Sequence, residues 1–131
     1  MLRVILTVLA ATSASTAVAA NWHFVSAAPD NSSLVYIDTD TLDTEGSLKT
    51  VWMKQDNAVP DEAGVTRVLS RAAYDCDART YNLLAYVIYG ADGGIMDRGE
   101  VPADRQSPEA LVAGSEGEKT LTYLCGTGHR I

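Results

Sequence analysis

Cys76 and Cys125 are the only cysteines in this chain of 131 residues, and they constrain its fold more than any other feature. An even number of cysteines in an exported chain indicates a disulfide, because thiols stay oxidised outside the cytoplasm. Closing a loop of about 50 residues stabilises a domain by about 4 kcal/mol in the chain-entropy model. The alternative is two free thiols, and a catalytic thiol is disfavoured because the sequence contains no C-x-x-C motif.

Residues 1–20 have the features of a secretory signal peptide. A single positive charge precedes a short apolar run, and cleavage after Ala19 or Ala20 places small residues at positions −1 and −3. The apolar run is shorter than the ~20 residues that a spanning helix needs, so we expect cleavage and no membrane anchor. Because no cysteine lies beside the cleavage site, we also expect no lipid anchor. The mature protein is therefore expected to be periplasmic or secreted.

The composition excludes several classes of protein. Hydrophobic residues make up 47% of the chain and charged residues 21%, which is typical of an ordinary globular domain. Ten basic residues against 17 acidic ones give a net charge of −7 without any basic run, so nucleic-acid binding is disfavoured. The two histidines, His23 and His129, lie near the ends of the mature chain. We therefore expect no zinc site, no cofactor and no catalytic triad.

An acidic segment is the one sequence feature that resembles a metal site. Asp38, Asp40, Asp43 and Glu45 follow one another closely, as the ligands of a calcium loop do. Counted from Asp38, however, the segment lacks the oxygen ligand at position 5, the glycine at position 6 and the glutamate at position 12. We therefore expect a solvated acidic turn and no bound calcium.

Short extended segments separated by turn residues predict an antiparallel sheet. The segments are residues 21–27, 34–38, 48–55, 65–77, 79–89 and 95–101. In the fourth segment, alternation places Tyr74 and Cys76 on the core face and Arg67 and Arg71 on the opposite face. The fifth segment is apolar on both faces and is predicted to be a central strand. Residues 39–46 and 56–64 are predicted to be turns or loops.

The end of the chain changes from a strand period to a helix period. Ser115 and Glu118 form a capping box, and Gly126 is a helix stop. The apolar stripe between them has helical spacing and comprises Leu121, Leu124 and Cys125. We predict a short helix on the sheet, with Cys125 and Cys76 in the same apolar layer. Residues 107–109 predict a separate helical turn.

A pattern of short motifs covers the mature chain from end to end. In chain order the motifs are Trp22, Tyr36-Ile37-Asp38, Val51-Trp52, Tyr74-Asp75-Cys76, Arg79, Gly114-Ser115 and Leu124-Cys125. Their order and spacing resemble the surface-adhesin protein E family of bacterial envelope proteins. The resemblance implies an α+β domain at residues 21–131, a single antiparallel sheet of about six strands with a C-terminal helix disulfide-tethered to one face. It also implies binding of a protein partner, host extracellular-matrix and plasma proteins among them.

Two sets of residues offer a binding surface. The aromatic residues Trp22, Trp52, Tyr81, Tyr86 and Tyr89 lie on predicted strands, where we expect most of them in the core. Arg67 and Arg71 face outward and offer contacts to an acidic partner. We expect non-enzymatic contact through the open sheet face or an edge strand. The alternative is a small periplasmic enzyme or enzyme inhibitor, which a polar pocket with a displaced pKa would favour.

The signal-peptide interpretation makes a direct prediction about the exported protein. Its first residue should be Ala20 or Asn21, because only these cleavage positions satisfy the small-residue rule. Mass spectrometry of the protein recovered from the periplasm or medium checks this, and an intact Met1 would contradict it.

Overall fold

The computed structural model describes residues 20–126, which form one antiparallel sheet and one α-helix. The predicted signal peptide, apart from Ala20, and His129 lie outside the described residues. The elements are β1 (Trp22–Ala27), β2 (Ser33–Asp38), β3 (Asp43–Glu45), β4 (Leu48–Asn57), β5 (Val65–Asp75), β6 (Thr80–Gly90), β7 (Ile95–Glu100), β8 (Glu109–Ala110) and α1 (Glu116–Cys125). Six strands lie in the order β1-β2-β4-β5-β6-β7, while β3 pairs with β4 and β8 with β6. The predicted α+β architecture is confirmed.

Several local predictions are wrong because strand pairing extends beyond the sequence signals. Residues 107–109 do not begin a helical turn; Glu109 and Ala110 pair with β6 as the short strand β8. The segment predicted as an acidic turn contains β3, which pairs with β4 although no apolar residue marks it as a strand. Strand β4 continues to Asn57, into the predicted loop. The prediction for β6 is confirmed, because it is an interior strand with neighbours on both sides, although its Leu83 is exposed.

The two faces of the sheet have different surroundings. Alternation places one set of apolar side chains on the face that α1 covers, which we call the helix face. The buried cluster on this face comprises Ile37, Val51, Ala72, Tyr74, Leu121 and Leu124. The side chains between them in sequence, such as Tyr36, Trp52 and Arg71, point to the opposite side, which we call the open face. The buried hydrophobic cluster therefore lies between the sheet and the single α-helix of residues 20–126.

Helix α1 begins and ends where the capping signals predict. The Ser115 hydroxyl accepts a hydrogen bond from the Glu118 amide at 3.2 Å, and the Glu118 carboxylate accepts one from the Gly114 amide at 3.2 Å. Gly126 follows the last turn with a positive φ of 74°, a conformation that favours glycine. The N-terminal end of this short helix is thus capped by local hydrogen bonds, and a glycine marks its C-terminal end.

Two ties fix α1 to the sheet, one at each end of the helix. Cys76 and Cys125 form a disulfide with their Cα atoms 5.8 Å apart, as predicted. Asp75 organises the turn that carries Cys76, since its Oδ1 accepts from the amides of Ala78 and Asp77. The Ala78 bond above all, with smaller contributions from Ser47 and Asp77, lowers the pKa of Asp75. At the other end, the Ser26 hydroxyl donates to the Glu116 carboxylate. These ties hold the helix over the apolar cluster.

No helix among residues 20–126 is long and apolar enough to span a membrane.

Removal of the disulfide should destabilise the domain. We expect Cys125→Ser to lower the free energy of unfolding by about 2–5 kcal/mol, because the closed loop constrains the unfolded chain. Hydrogen exchange should rise first in α1, since the helix loses its covalent tie. Urea unfolding of the oxidised mature protein measures the change, with the Cys76→Ser/Cys125→Ser double variant as the control for the unpaired thiol. Equal stability of wild type and variants would refute the role of the bond.

The Ser26–Glu116 contact should make the free energy of unfolding depend on pH. The Ser26 hydrogen bond lowers the pKa of Glu116 below its usual 4.5, with a smaller contribution from Lys119. When the pKa of a carboxyl group is lower in the folded protein than in the unfolded chain, the group stabilises the fold at any pH above its unfolded pKa. This stabilisation is lost as the pH falls through its folded pKa. Ser26→Ala should therefore lower the free energy of unfolding at neutral pH and approach wild type well below pH 4.5.

Urea unfolding across this pH range measures that difference, and Ser107→Ala on an exposed loop serves as the control. A Ser26→Ala deficit that stays constant down to the lowest pH would contradict the assignment.

Candidate binding face

Three rows of directly paired residues cross the open face. Paired residues of antiparallel strands share a face, so the register defines each row. The middle row is Phe24, Tyr36, Lys54, Leu69, Val87 and Arg98. The row on one side is Leu34, Asp56, Arg67, Tyr89 and Ile95, and the row on the other side is Trp52, Arg71, Ala85 and Glu100. Aromatic and basic side chains thus concentrate on the side of the sheet that α1 does not cover.

Lys54 lies between two aromatic rings. Its Nζ is 5.0 Å from the centroid of the Trp22 ring and 4.5 Å from that of the Tyr36 ring. The Tyr36 ring meets Phe24 edge to face, with centroids 5.9 Å apart. Cation–π and edge-to-face contacts have preferred geometries, so they hold these side chains in one arrangement. We call the rings of Trp22, Tyr36 and Phe24 the aromatic platform, and Phe24 remains 54% exposed.

Asp56 pairs with two cations at once. Its Oδ1 accepts from Nε of Arg67 at 2.6 Å, and its Oδ2 lies 3.6 Å from Nζ of Lys54. The hydrogen bond to Asp56 raises the pKa of Arg67, so the guanidinium is held in its charged form. One carboxylate cannot neutralise two cations, which leaves a positive charge beside the aromatic platform.

Two depressions lie on this face. A groove of about 630 Å³ is lined by Trp22, Lys54, Arg67, Leu69 and Tyr89, among others. A second, of about 390 Å³, is lined by Trp52, Ala85, Val87 and Arg98, among others. Both are shallow surface features that offer apolar walls and guanidinium groups to a partner.

The structure divides the residues that the sequence singled out. Trp22, Trp52, Tyr89, Arg67 and Arg71 all lie on the open face. The expectation that most of these aromatic residues are core is wrong, because no helix of residues 20–126 covers that face and their side chains stay partly exposed.

Tyr81 lies on the helix face instead. Its ring centroid is 6.2 Å from that of the buried Tyr74, and its hydroxyl donates to Glu109 at 3.0 Å. Tyr86 pairs with Gly99, whose missing side chain leaves space for the ring. Neither tyrosine belongs to the three rows of the open face.

The acidic segment proves to be partly structural. Asp38 is buried, and its Oδ1 accepts hydrogen bonds from the amides of Asn21 and Asp40 at 3.1 Å each. The expectation of a wholly solvated turn is therefore wrong for Asp38, while Asp40, Asp43 and Glu45 are exposed. Within residues 20–126, no cluster of His, Cys, Asp and Glu has the arrangement of a metal site. The absence of a bound metal or cofactor stays a prediction.

Sequence reasoning missed the residues that organise the site, Lys54, Tyr36 and Asp56. Lys54 lies two residues after Trp52 on the same strand, so alternation predicts that the two side chains share a face. Its contacts with Trp22 and Tyr36, however, depend on the register of three strands, which are distant along the chain. Such pairing cannot be read from one strand alone.

Comparisons with known proteins give a consistent result. The sequence model of a family described as Surface-adhesin protein E matches residues 22–126. A structure of crystal form II of Haemophilus influenzae protein E has a TM-score of 0.53 at 9% identity, and the match covers 78% of this chain and 86% of that chain. Another structure of the same protein has a TM-score of 0.50 at 10% identity, with coverage of 78% and 83%. At these identities the likeness shows the fold alone. None of the curated proteins compared matches the sequence.

The position of Lys54 generates a test of the aromatic platform. Lys54→Met keeps the apolar stem but removes the ammonium, and we expect it to lower the free energy of unfolding by about 1–2 kcal/mol through two lost cation–π contacts and the lost ion pair with Asp56. Urea unfolding measures the loss. Lys49→Met is the matched control, because Lys49 donates only to the Thr44 hydroxyl at an exposed site. Equal unfolding midpoints for the two variants would show that the rings do not hold the ammonium.

Proposed function

The chain belongs to the surface-adhesin protein E family, and we propose that it is an exported, non-enzymatic binding module whose open face contacts a protein partner. The signal-peptide features of residues 1–20 support export to the periplasm or beyond. The adhesin description of the family supports an extracellular host protein, of the matrix or plasma, as the class of partner to test first.

The observation that carries this proposal is the composition of the open face. The buried centres of protein interfaces are enriched in Trp, Tyr, Phe and Arg and depleted in most other charged residues. These residue types occupy seven of the fifteen positions of the three rows and include Phe24, Trp52, Tyr89, Arg67 and Arg71. An exposed aromatic platform on a stiff sheet offers a preorganised surface, which reduces the entropy cost of association.

The displaced pKa values support binding over the enzyme alternative. Burial raises the pKa of Tyr74 to about 12, and the hydrogen bond to Glu109 raises that of Tyr81. The pKa values of the displaced carboxyl groups, those of Asp30, Asp75 and Glu116, are all lowered. A general acid or base at neutral pH needs a pKa displaced toward neutrality, which is the opposite direction. The groove beside Lys54 is instead suited to recognition.

Site-specific photo-crosslinking tests which face meets a partner. A photoreactive phenylalanine analogue replaces Phe24 on the open face or, as the matched control, Tyr123, which is 46% exposed on α1. We expect a discrete protein adduct from position 24 in cells that export the protein and in mixtures with purified matrix and plasma proteins. Position 123 should give none. Adducts at position 123 alone, or none at position 24, would contradict the proposal.

Direct titration then separates a binding module from an enzyme inhibitor. The partner identified by crosslinking is purified and titrated with the mature protein and with Phe24→Ala, which should bind about tenfold more weakly or worse if Phe24 is an interface anchor. If the partner is an enzyme whose activity falls in proportion to the bound fraction, the inhibitor alternative is correct. Unchanged activity with full binding supports a binding module.

A further inference from the structure

We propose that the segment of the partner that contacts the open face is an acidic, extended peptide, whose carboxylates pair with Arg71 and Arg98. This inference rests on the proposed function, because it assumes that the open face binds a protein. It adds the chemistry of the bound segment, and it follows from the distribution of charge over the sheet.

Positive charge is concentrated on the open face of an otherwise acidic protein. The three rows contain four cations, Lys54, Arg67, Arg71 and Arg98, and two carboxylates, Asp56 and Glu100. The whole chain nevertheless has a net charge of −7. The remaining surface repels an acidic partner while this face attracts it, so the field directs such a partner to one side of the molecule.

Arg71 and Arg98 are the cations available for a partner. Within residues 20–126, the salt bridges of the open face join Asp56 to Lys54 and to Arg67, and neither Arg71 nor Arg98 takes part in one. Both arginines are exposed at the middle of their strands. A guanidinium binds a carboxylate through two parallel hydrogen bonds, which gives both strength and direction.

The spacing of these arginines fits an extended chain. Arg71 lies on β5 and Arg98 on β7, two strand spacings (about 10 Å) across the sheet and two residues (about 7 Å) along it, which places them about 12 Å apart. Same-side residues of an extended peptide lie about 7 Å apart, within reach of two flexible arginine side chains. The second depression lies beside them, with Trp52 and Val87 as apolar walls, the small Ala85 between them, and Glu100 as its one carboxylate. An apolar side chain next to the acidic pair in the peptide would fill it.

The same observations disfavour a sulfated polysaccharide. Such polymers carry dense charge and are matched by closely grouped cations. On this face, Leu69 and Val87 separate Lys54 from Arg98 along the middle row. Cations separated by apolar positions instead match a peptide that carries both apolar and acidic side chains.

Fluorescence anisotropy with the mature protein tests this inference. The probe is a labelled extended peptide with glutamate at every second position and one central leucine, and the comparison peptide has glutamine in place of each glutamate. We expect the glutamate peptide to bind at least about tenfold more tightly, because charge-assisted hydrogen bonds are lost with glutamine. Its affinity should fall as salt is added, because these arginines are exposed. A heparin-derived hexasaccharide is tested in parallel.

Matched variants locate the effect. Arg71→Gln/Arg98→Gln should weaken the glutamate peptide about tenfold or more, whereas Arg105→Gln removes an exposed arginine outside the rows and should leave its affinity unchanged. Equal affinity for the two peptides, an unchanged affinity of the double variant, or preference for the hexasaccharide would overturn the inference. The proposed function would survive each of these results if a protein adduct forms at position 24, so the two failures are distinguishable.

Discussion

The tethering of α1 to one face of the sheet is the constraint on which the rest of the structure depends. A single sheet of this length cannot bury both of its faces against one short helix. The disulfide between Cys76 and Cys125 and the Ser26–Glu116 contact fix which face is covered. Leu121 and Leu124 then complete a core that the sheet alone could not close. An isolated helix of about ten residues is marginal in water, so the tie and the core stabilise each other.

Because α1 covers only one face, the open face of the sheet is exposed to water. Its side chains must be compatible with water, yet many of them are aromatic. Lys54 places a hydrated charge against the apolar rings of Trp22 and Tyr36, and its ammonium also pairs with Asp56. Rings fixed in this way lose little conformational freedom when a partner binds. The division between a structural face and the proposed binding face follows from which side of the sheet holds the helix.

Local signals in the sequence were sufficient for part of this account. Strand alternation placed Cys76 on the core face, and helical spacing placed Cys125 opposite it, because both patterns are read within a single element. The capping box at Ser115 is equally local. Strand β8 and the contacts of Lys54 depend instead on pairing between distant segments, which no single element encodes. The aromatic residues were misjudged for the same reason, since alternation does not say which face remains uncovered.

The division of the two faces is tested most directly by methyl NMR of the mature protein during titration with the partner identified at position 24. Leu69 and Val87 report on the open face, and Val51 and Leu121 on the helix face. The account predicts that the methyl signals of Leu69 and Val87 shift or broaden as the partner is added, while those of Val51 and Leu121 stay in place. Changes centred on Val51 and Leu121, with Leu69 and Val87 unaffected, would contradict it.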